Sequence, residues 1–252
     1  MPSNKIDYQN GEKLVEVKDL CKWFPLKRTI ADAATRKPVR YVKAVDHVSL
    51  DVYRGECLGL VGESGCGKST LARTIIRLYD PTSGSIRING AEIATLKGKA
   101  LRELRPQMQM IFQDPYSSLD PRMTVEDIIG EILRVHKLVE KDKILERTHE
   151  LMAMCGLTAD YGPRYPGEFS GGQRQRVGIA RALALDPKFI IADEPVSALD
   201  VSIQAQIINL LGQLREETGI SILFIAHDLS VVKYFSDRIG VMYFGNLVEM
   251  AS

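Results

Sequence analysis

Apolar and polar positions along this chain switch between two periods. Leu14-Val15-Glu16-Val17-Lys18-Asp19-Leu20 alternates, as a strand with one solvated face does, and Val45 to Val52 reads the same way. Cys57-Leu58-Gly59-Leu60-Val61, Met108 to Phe112, Phe189-Ile190-Ile191-Ala192, Ser221 to Ala226 and Ile239 to Tyr243 are short, nearly continuous apolar runs. Such runs suit strands buried on both faces. Helical spacing separates them over Ser69–Leu78, Gln173–Leu185, Val201–Glu217 and Val231–Ser236. Strands alternating with helices predict an α/β fold, a mostly parallel sheet covered on both sides. Asp80-Pro81-Thr82-Ser83-Gly84 reads as a turn, and Tyr243 to Val248 as a turn into a last strand. No internal repeat or low-complexity tract interrupts the pattern.

Residues 116–168 change character. Thr124-Val125-Glu126-Asp127 fits a capped helix start. Ile128, Ile129, Ile132, Leu133 and then Ile144, Leu145, Leu151, Met152 follow at helical spacing, without a strand pattern. These residues predict an inserted helical lobe in one domain spanning 1–252, with residues 1–13 polar and frayed. Between the first two strands, Lys27 to Val42 carries five basic residues against Asp32. It is either a basic arm that touches a partner or lipid, or a solvated hairpin tip.

Composition narrows the class. The 252 residues are 45% hydrophobic and 26% charged, with a net charge of +1. That is ordinary for a globular domain and gives no global attraction to nucleic acid or an anionic membrane. No apolar run approaches the roughly 18 residues of a spanning helix, and the first residues carry no signal-type apolar stretch. Cytosolic residence is the expectation. Cys21, Cys57, Cys66 and Cys155 form no close pair, so the spacing suggests neither a zinc motif nor a redox motif. Three of them read as small buried residues; Cys66 sits within a glycine-rich loop.

That loop, Gly62-Glu63-Ser64-Gly65-Cys66-Gly67-Lys68-Ser69-Thr70, follows a strand and opens a helix. Its glycines let backbone N–H groups converge on phosphate, the helix N-terminus adds positive potential, Lys68 adds a point charge, and Ser69 is placed to ligate magnesium. Asp193 and Glu194 end an apolar strand. With a phosphate loop upstream, Asp193 fits the surroundings of a magnesium ion and Glu194 fits a base for an attacking water. Ser170-Gly171-Gly172-Gln173 begins a helix as a second anion site. One triphosphate does not need two such sites on one chain, which argues for a head-to-tail pair with Ser170 of one copy facing Lys68 of the other.

Together these motifs resemble the ATP-binding cassette family from Leu14 to Met250. The stretches Val42–Asp46, Ile111–Thr124 and Ala198–Gln206 are similar to its peptide-importer ATPases, most of all the F-type subunit of oligopeptide permeases. The resemblance implies a P-loop NTPase core with an N-terminal antiparallel β subdomain and an inserted α-helical subdomain. ATP and Mg2+ are the implied substrate and cofactor. Gln113 takes the glutamine-loop position, suited to sensing magnesium and the attacking water, and His227 takes that of the switch histidine at the γ-phosphate. Asp200 lies in the loop that crosses the dimer interface, and could equally cap the next helix. Phe24 aligns with the aromatic residue that stacks on adenine; Trp23 and Tyr41 compete. Implied partners are a second, paralogous ATPase subunit, two transmembrane permease subunits docking after Gln113, and an extracytoplasmic solute-binding protein, at the cytoplasmic face of a membrane. Gly167 stands where this subgroup has histidine, and the sequence stops at Ser252, where relatives run on into a C-terminal tail. Two other readings fit the motifs: an ATPase of a soluble complex such as the carbon–phosphorus lyase system, or a cassette protein acting on nucleic acid.

Overall fold

The structure is a computed structural model and describes residue 8 and residues 11–26 and 38–251. The basic stretch read at Lys27–Val42 and the frayed start therefore lie largely outside the described residues. Among the described residues, ten strands form two sheets. The first sheet is antiparallel, in the order β2 (Tyr41–Tyr53), β1 (Lys13–Pro25), β4 (Ser83–Ile88), β5 (Ala91–Glu92). The second has the order β10 (Asn246–Ala251), β9 (Arg238–Tyr243), β3 (Cys57–Val61), β8 (Ser221–Ile225), β7 (Phe189–Asp193), β6 (Met108–Ile111). It is parallel from β9 to β6, and only β10 runs antiparallel.

The second sheet explains the unbroken apolar runs. Successive side chains in a strand point to opposite faces. Phe189 and Ile191 of β7, with Leu223 and Ile225 of β8, enter one core; Ile190, Ala192, Ile222 and Phe224 enter the other. The first core lies between the two sheets and takes in helix α1 (Lys68–Ile75). The second is filled by the helices on the far face. Both faces are thus dry, and alternation has no polar partner to show.

The remaining helices are α2 (Gly98–Leu104), α3 (Pro115–Ser118), α4 (Val125–His136), α5 (Ile144–Met154), α6 (Gly171–Leu183), α7 (Val201–Thr218) and α8 (Leu229–Phe235). α3, α4 and α5 make the helical insertion. Thr124 caps α4 as the sequence suggests, its Oγ1 accepting from Asp127 N–H at 3.2 Å. Ile128, Ile129, Leu133, Leu151 and Met152 of this insertion are buried in the second core, but Leu145 is exposed. The apolar face of α5 is narrower than its spacing suggested.

Four elements differ from the sequence reading. β4 starts inside the supposed turn, where Gly84 at φ 97° crosses β1 so closely that a Cβ would meet the backbone of Asp19 and Leu20. β5 and α2 were not foreseen. β1 also runs on past Leu20, through irregular pairing with β2, to Pro25.

Candidate nucleotide site

Parallel strands deliver their loops to one edge of the second sheet. Leu60 of β3 and Asp193 of β7 both pair with Ile225 of β8. The loop after β3, the acids ending β7 and the residue after β8 therefore start from one row. The crevice at the carboxyl ends of parallel strands is where ligands bind in open α/β sheets.

The loop after β3 has the backbone the sequence demands. Gly62, Gly65 and Gly67 all take positive φ, 153°, 79° and 112°. A Cβ on Gly67 would strike the Ala44 carbonyl oxygen, and one on Gly62 the Met242 carbonyl oxygen. Two neighbouring strands thus hold the loop from below, while Glu63, Ser64 and Gly65 face solvent. Gly67 caps α1 without a side chain, and Thr70 lies in its first turn. Lys68 is only 4% exposed. Its Nζ donates to the carbonyl oxygens of Gly62 at 2.7 Å and Glu63 at 2.9 Å.

Cys66, the cysteine of this loop, is 7% exposed and packs in the first core. Its sulfur lies 3.9 Å from Lys68 Nζ. Cys21, Cys57 and Cys155 are buried and unpaired, as read from the sequence.

Ser69 Oγ donates to Asp193 Oδ1 at 2.8 Å, which joins the loop to the end of β7. Asp193 is 1% exposed. Burial pushes its carboxyl above the usual range, against the opposing pull of the Ser69 hydroxyl and Arg73. Arg73 Nη2 stands 3.8 Å from Asp193 Oδ2. Sequence reading missed this cation, although Ser69 and Arg73 are four apart on α1 and so share a helix face.

Glu194 holds a left-handed backbone, φ 48°, where β7 ends. Its N–H donates to the Ile225 carbonyl at 2.9 Å, fixing the turn against β8. Gln113 Nε2 donates to Glu194 Oε2 at 2.9 Å, and His227 Nδ1 lies 3.9 Å from the same oxygen. One carboxylate oxygen thus gathers groups from the ends of three strands.

Other candidates lie in separate groups. Ser170 caps α6: its Oγ accepts from Gln173 N–H at 3.3 Å, and Gln173 Oε1 accepts from Ser170 N–H at 2.9 Å. Gly171 and Gly172 pack this turn on Leu199 and Ile203, so closely that a Cβ on Gly172 would press on the Ile203 side chain. The Ser170 turn and the Asp200 loop therefore form one surface. Asp200 occupies the cap position of α7, but its side chain makes no capping bond and is exposed. Of the two roles open to it, the structure removes side-chain capping. Phe24 stacks edge-on with Tyr79, centroids 5.6 Å apart, and Lys22 Nζ lies 4.9 Å from its ring. Trp23 pairs instead with Tyr41 and donates Nε1–H to Asp46 Oδ1.

Sequence comparison decides the family. Residues 45–197 match the profile described as ABC transporter. The chain belongs to the ABC transporter family. It is 60% identical over 242 residues to the oligopeptide transport ATP-binding protein OppF of Bacillus subtilis, covering 95% of this chain and 76% of that protein. The OppF of Streptococcus mutans is 54% identical, with 97% and 76% covered. A dipeptide transport ATP-binding protein, DppF of Lactococcus lactis, is 51% identical, with 96% and 75% covered. Among solved structures, a dimeric post-hydrolysis state of the ATP-binding cassette MJ0796 bound to ADP and Pi superposes with a TM-score of 0.81. It is 29% identical, and the match covers 94% of this chain and 98% of that one. As an ABC-family ATPase subunit, the chain has the α/β fold with two sheets and a helical insertion expected of it. Among the described residues no helix is long and apolar enough to cross a membrane.

Proposed function

We propose that this chain is the ATP-hydrolysing subunit of a membrane importer for oligopeptides or dipeptides. The observation that carries the reading is the convergence of Lys68, Ser69, Gln113, Asp193, Glu194 and His227 on one edge of the sheet. The relatives named above, peptide-transport proteins, favour import over a soluble lyase complex or a nucleic-acid role.

The residues fit an ATP–magnesium pair. Positive φ at the three glycines leaves the loop free to turn backbone N–H groups toward a bound phosphate, and Lys68 can exchange two loop carbonyls for phosphate oxygens. Ser69 Oγ and Asp193 Oδ1 are hard oxygen donors 2.8 Å apart, the kind Mg2+ selects; Gln113 is the third candidate. Bound Mg2+ would neutralise charge that develops on the phosphate oxygens. Glu194 accepts the proton of the attacking water, held in orientation by the Gln113 amide, and His227 reaches the γ-phosphate. Phe24 offers its ring to adenine.

Ser170, Gly171, Gly172 and Gln173 contact the nucleotide held by a partner's Lys68, with Asp200 crossing the same interface. The partner is a paralogous ATPase subunit. Closure of the pair moves two permease subunits that dock after Gln113 at the cytoplasmic membrane face, and an extracytoplasmic binding protein delivers the solute.

Uptake of a labelled tri- or tetrapeptide tests this in cells that lack the chain. Wild-type chain should restore uptake and Glu194→Gln should not. Equal uptake with and without the chain would remove the transport reading.

A further inference from the structure

Away from the phosphate loop, the irregular pairing of β1 and β2 gathers three metal-ligating side chains. Cys21 Sγ, an Asp46 carboxylate oxygen and a His47 ring nitrogen all lie within 4.8 Å of one another. The β1–β2 register slips just before this point, between Val17 and Leu20, and again at it, between Leu20 and Lys22. His47 takes a left-handed backbone, φ 55°, which is uncommon for a residue with a Cβ. That turn aims His47 N–H at Cys21 Sγ, 3.3 Å away, so the sulfur already serves as an acceptor. Access is graded. Cys21 is the buried floor, Asp46 is mostly covered, and the His47 side chain is 65% exposed at the mouth. The phosphate site uses none of the three.

We propose that Cys21, Asp46 and His47 form a binding site for a divalent cation of the zinc class, with solvent completing its shell. Sulfur, imidazole nitrogen and carboxylate oxygen are the donor types zinc takes, and three protein ligands leave its fourth position open. Magnesium, which requires oxygen ligands, is not suited to it. Zinc bonds of about 2.0–2.3 Å place tetrahedral ligand atoms roughly 3.3–3.8 Å apart, so the set has to close by about 1 Å. The exposed His47 side chain is free to supply that movement. Binding releases the Cys21 thiol proton to solvent as the Sγ–metal bond forms. Asp46 currently accepts from Lys43 Nζ and Trp23 Nε1, both at 3.1 Å. The cation therefore competes with both.

That competition supplies the test, because Trp23 is the chain's single tryptophan. The full chain, free of nucleotide, is titrated with Zn2+ while tryptophan emission is followed, and with Co2+ while near-ultraviolet absorption is followed. The expected result is a saturable change in emission and a thiolate-to-cobalt charge-transfer band. Cys21→Ser should abolish the band. His47→Ala alters an exposed side chain and should weaken Zn2+ binding by at least the 10- to 100-fold that loss of a ligand's supporting partner costs. Nucleotide binding by both variants reports that they are folded. Absence of the cobalt band, or His47→Ala binding Zn2+ as tightly as wild type, overturns the proposal; retained Zn2+ binding would then place the cation at the carboxylates of the phosphate site.

Discussion

At the scale of single residues, Glu194 is where chemistry and geometry meet. Its carboxylate takes a hydrogen bond from Gln113 and lies near His227, while its backbone sits in a conformation that costs of order 1–3 kcal/mol for a residue with a Cβ. Such strain persists because the Ile225 carbonyl and the Ser197 hydroxyl hold the turn. Glu194→Gln keeps the shape and loses the proposed base. Its ATP turnover should fall about 10²- to 10⁴-fold with nucleotide affinity retained; phosphate release and a fluorescent ATP analogue measure the two separately. The cysteines give a second residue-scale expectation. Burial pushes the thiols of Cys57 and Cys155 up to about 12, so at neutral pH both stay protonated and unreactive until the chain unfolds. Folded protein should therefore take up maleimide slowly, at Cys66 first, and saturating ATP with magnesium should slow it further. Mass mapping that finds Cys57 or Cys155 labelled ahead of Cys66 would contradict the packing described here. The candidate residues that the structure gathers at the sheet edge could be named from the sequence because each sits in a fixed local motif. Arg73 and Tyr79 were not, since their partners Asp193 and Phe24 are far away along the chain.

At the scale of elements, legibility followed how local each cause was. The Thr124 cap and the apolar stripe of α4 lie within one short stretch, and both were readable. Thr124→Ala removes the bond to Asp127 N–H and should cost about 0.5–2 kcal/mol. It should lower the urea midpoint and leave nucleotide affinity unchanged; an unaltered midpoint would show that the cap does not hold α4. β4 was hidden for the opposite reason. Pro81 and Gly84 give it turn composition, and its register is set by β1, whose Val15 and Val17 pair with Ile88 and Ile86. The open extension of β1 to Pro25 was likewise unreadable, because the bulges that break its alternation answer to β2. Leu145 shows the limit of periodicity: the spacing placed it with Ile144, but only Ile144 finds the core.

At the scale of the molecule, the candidate groups fall on two surfaces. Lys68, Ser69, Asp193, Glu194, Gln113 and His227 share the sheet edge, whereas Ser170 to Gln173 bond within their own cap and pack on the loop that ends at Asp200. In the proposed pairing, a nucleotide held by the first surface is completed by the second surface of another chain. Sedimentation velocity tests that claim most directly, using Glu194→Gln chain alone and mixed with the paralogous ATPase subunit, with saturating ATP and magnesium or with ADP. The account predicts a two-chain species with ATP, none with ADP, and none when Ser170→Arg is added, although that variant still binds ATP as a single chain. Full ATP occupancy with only single-chain mass at every mixing ratio, or unimpaired pairing by Ser170→Arg, would contradict it.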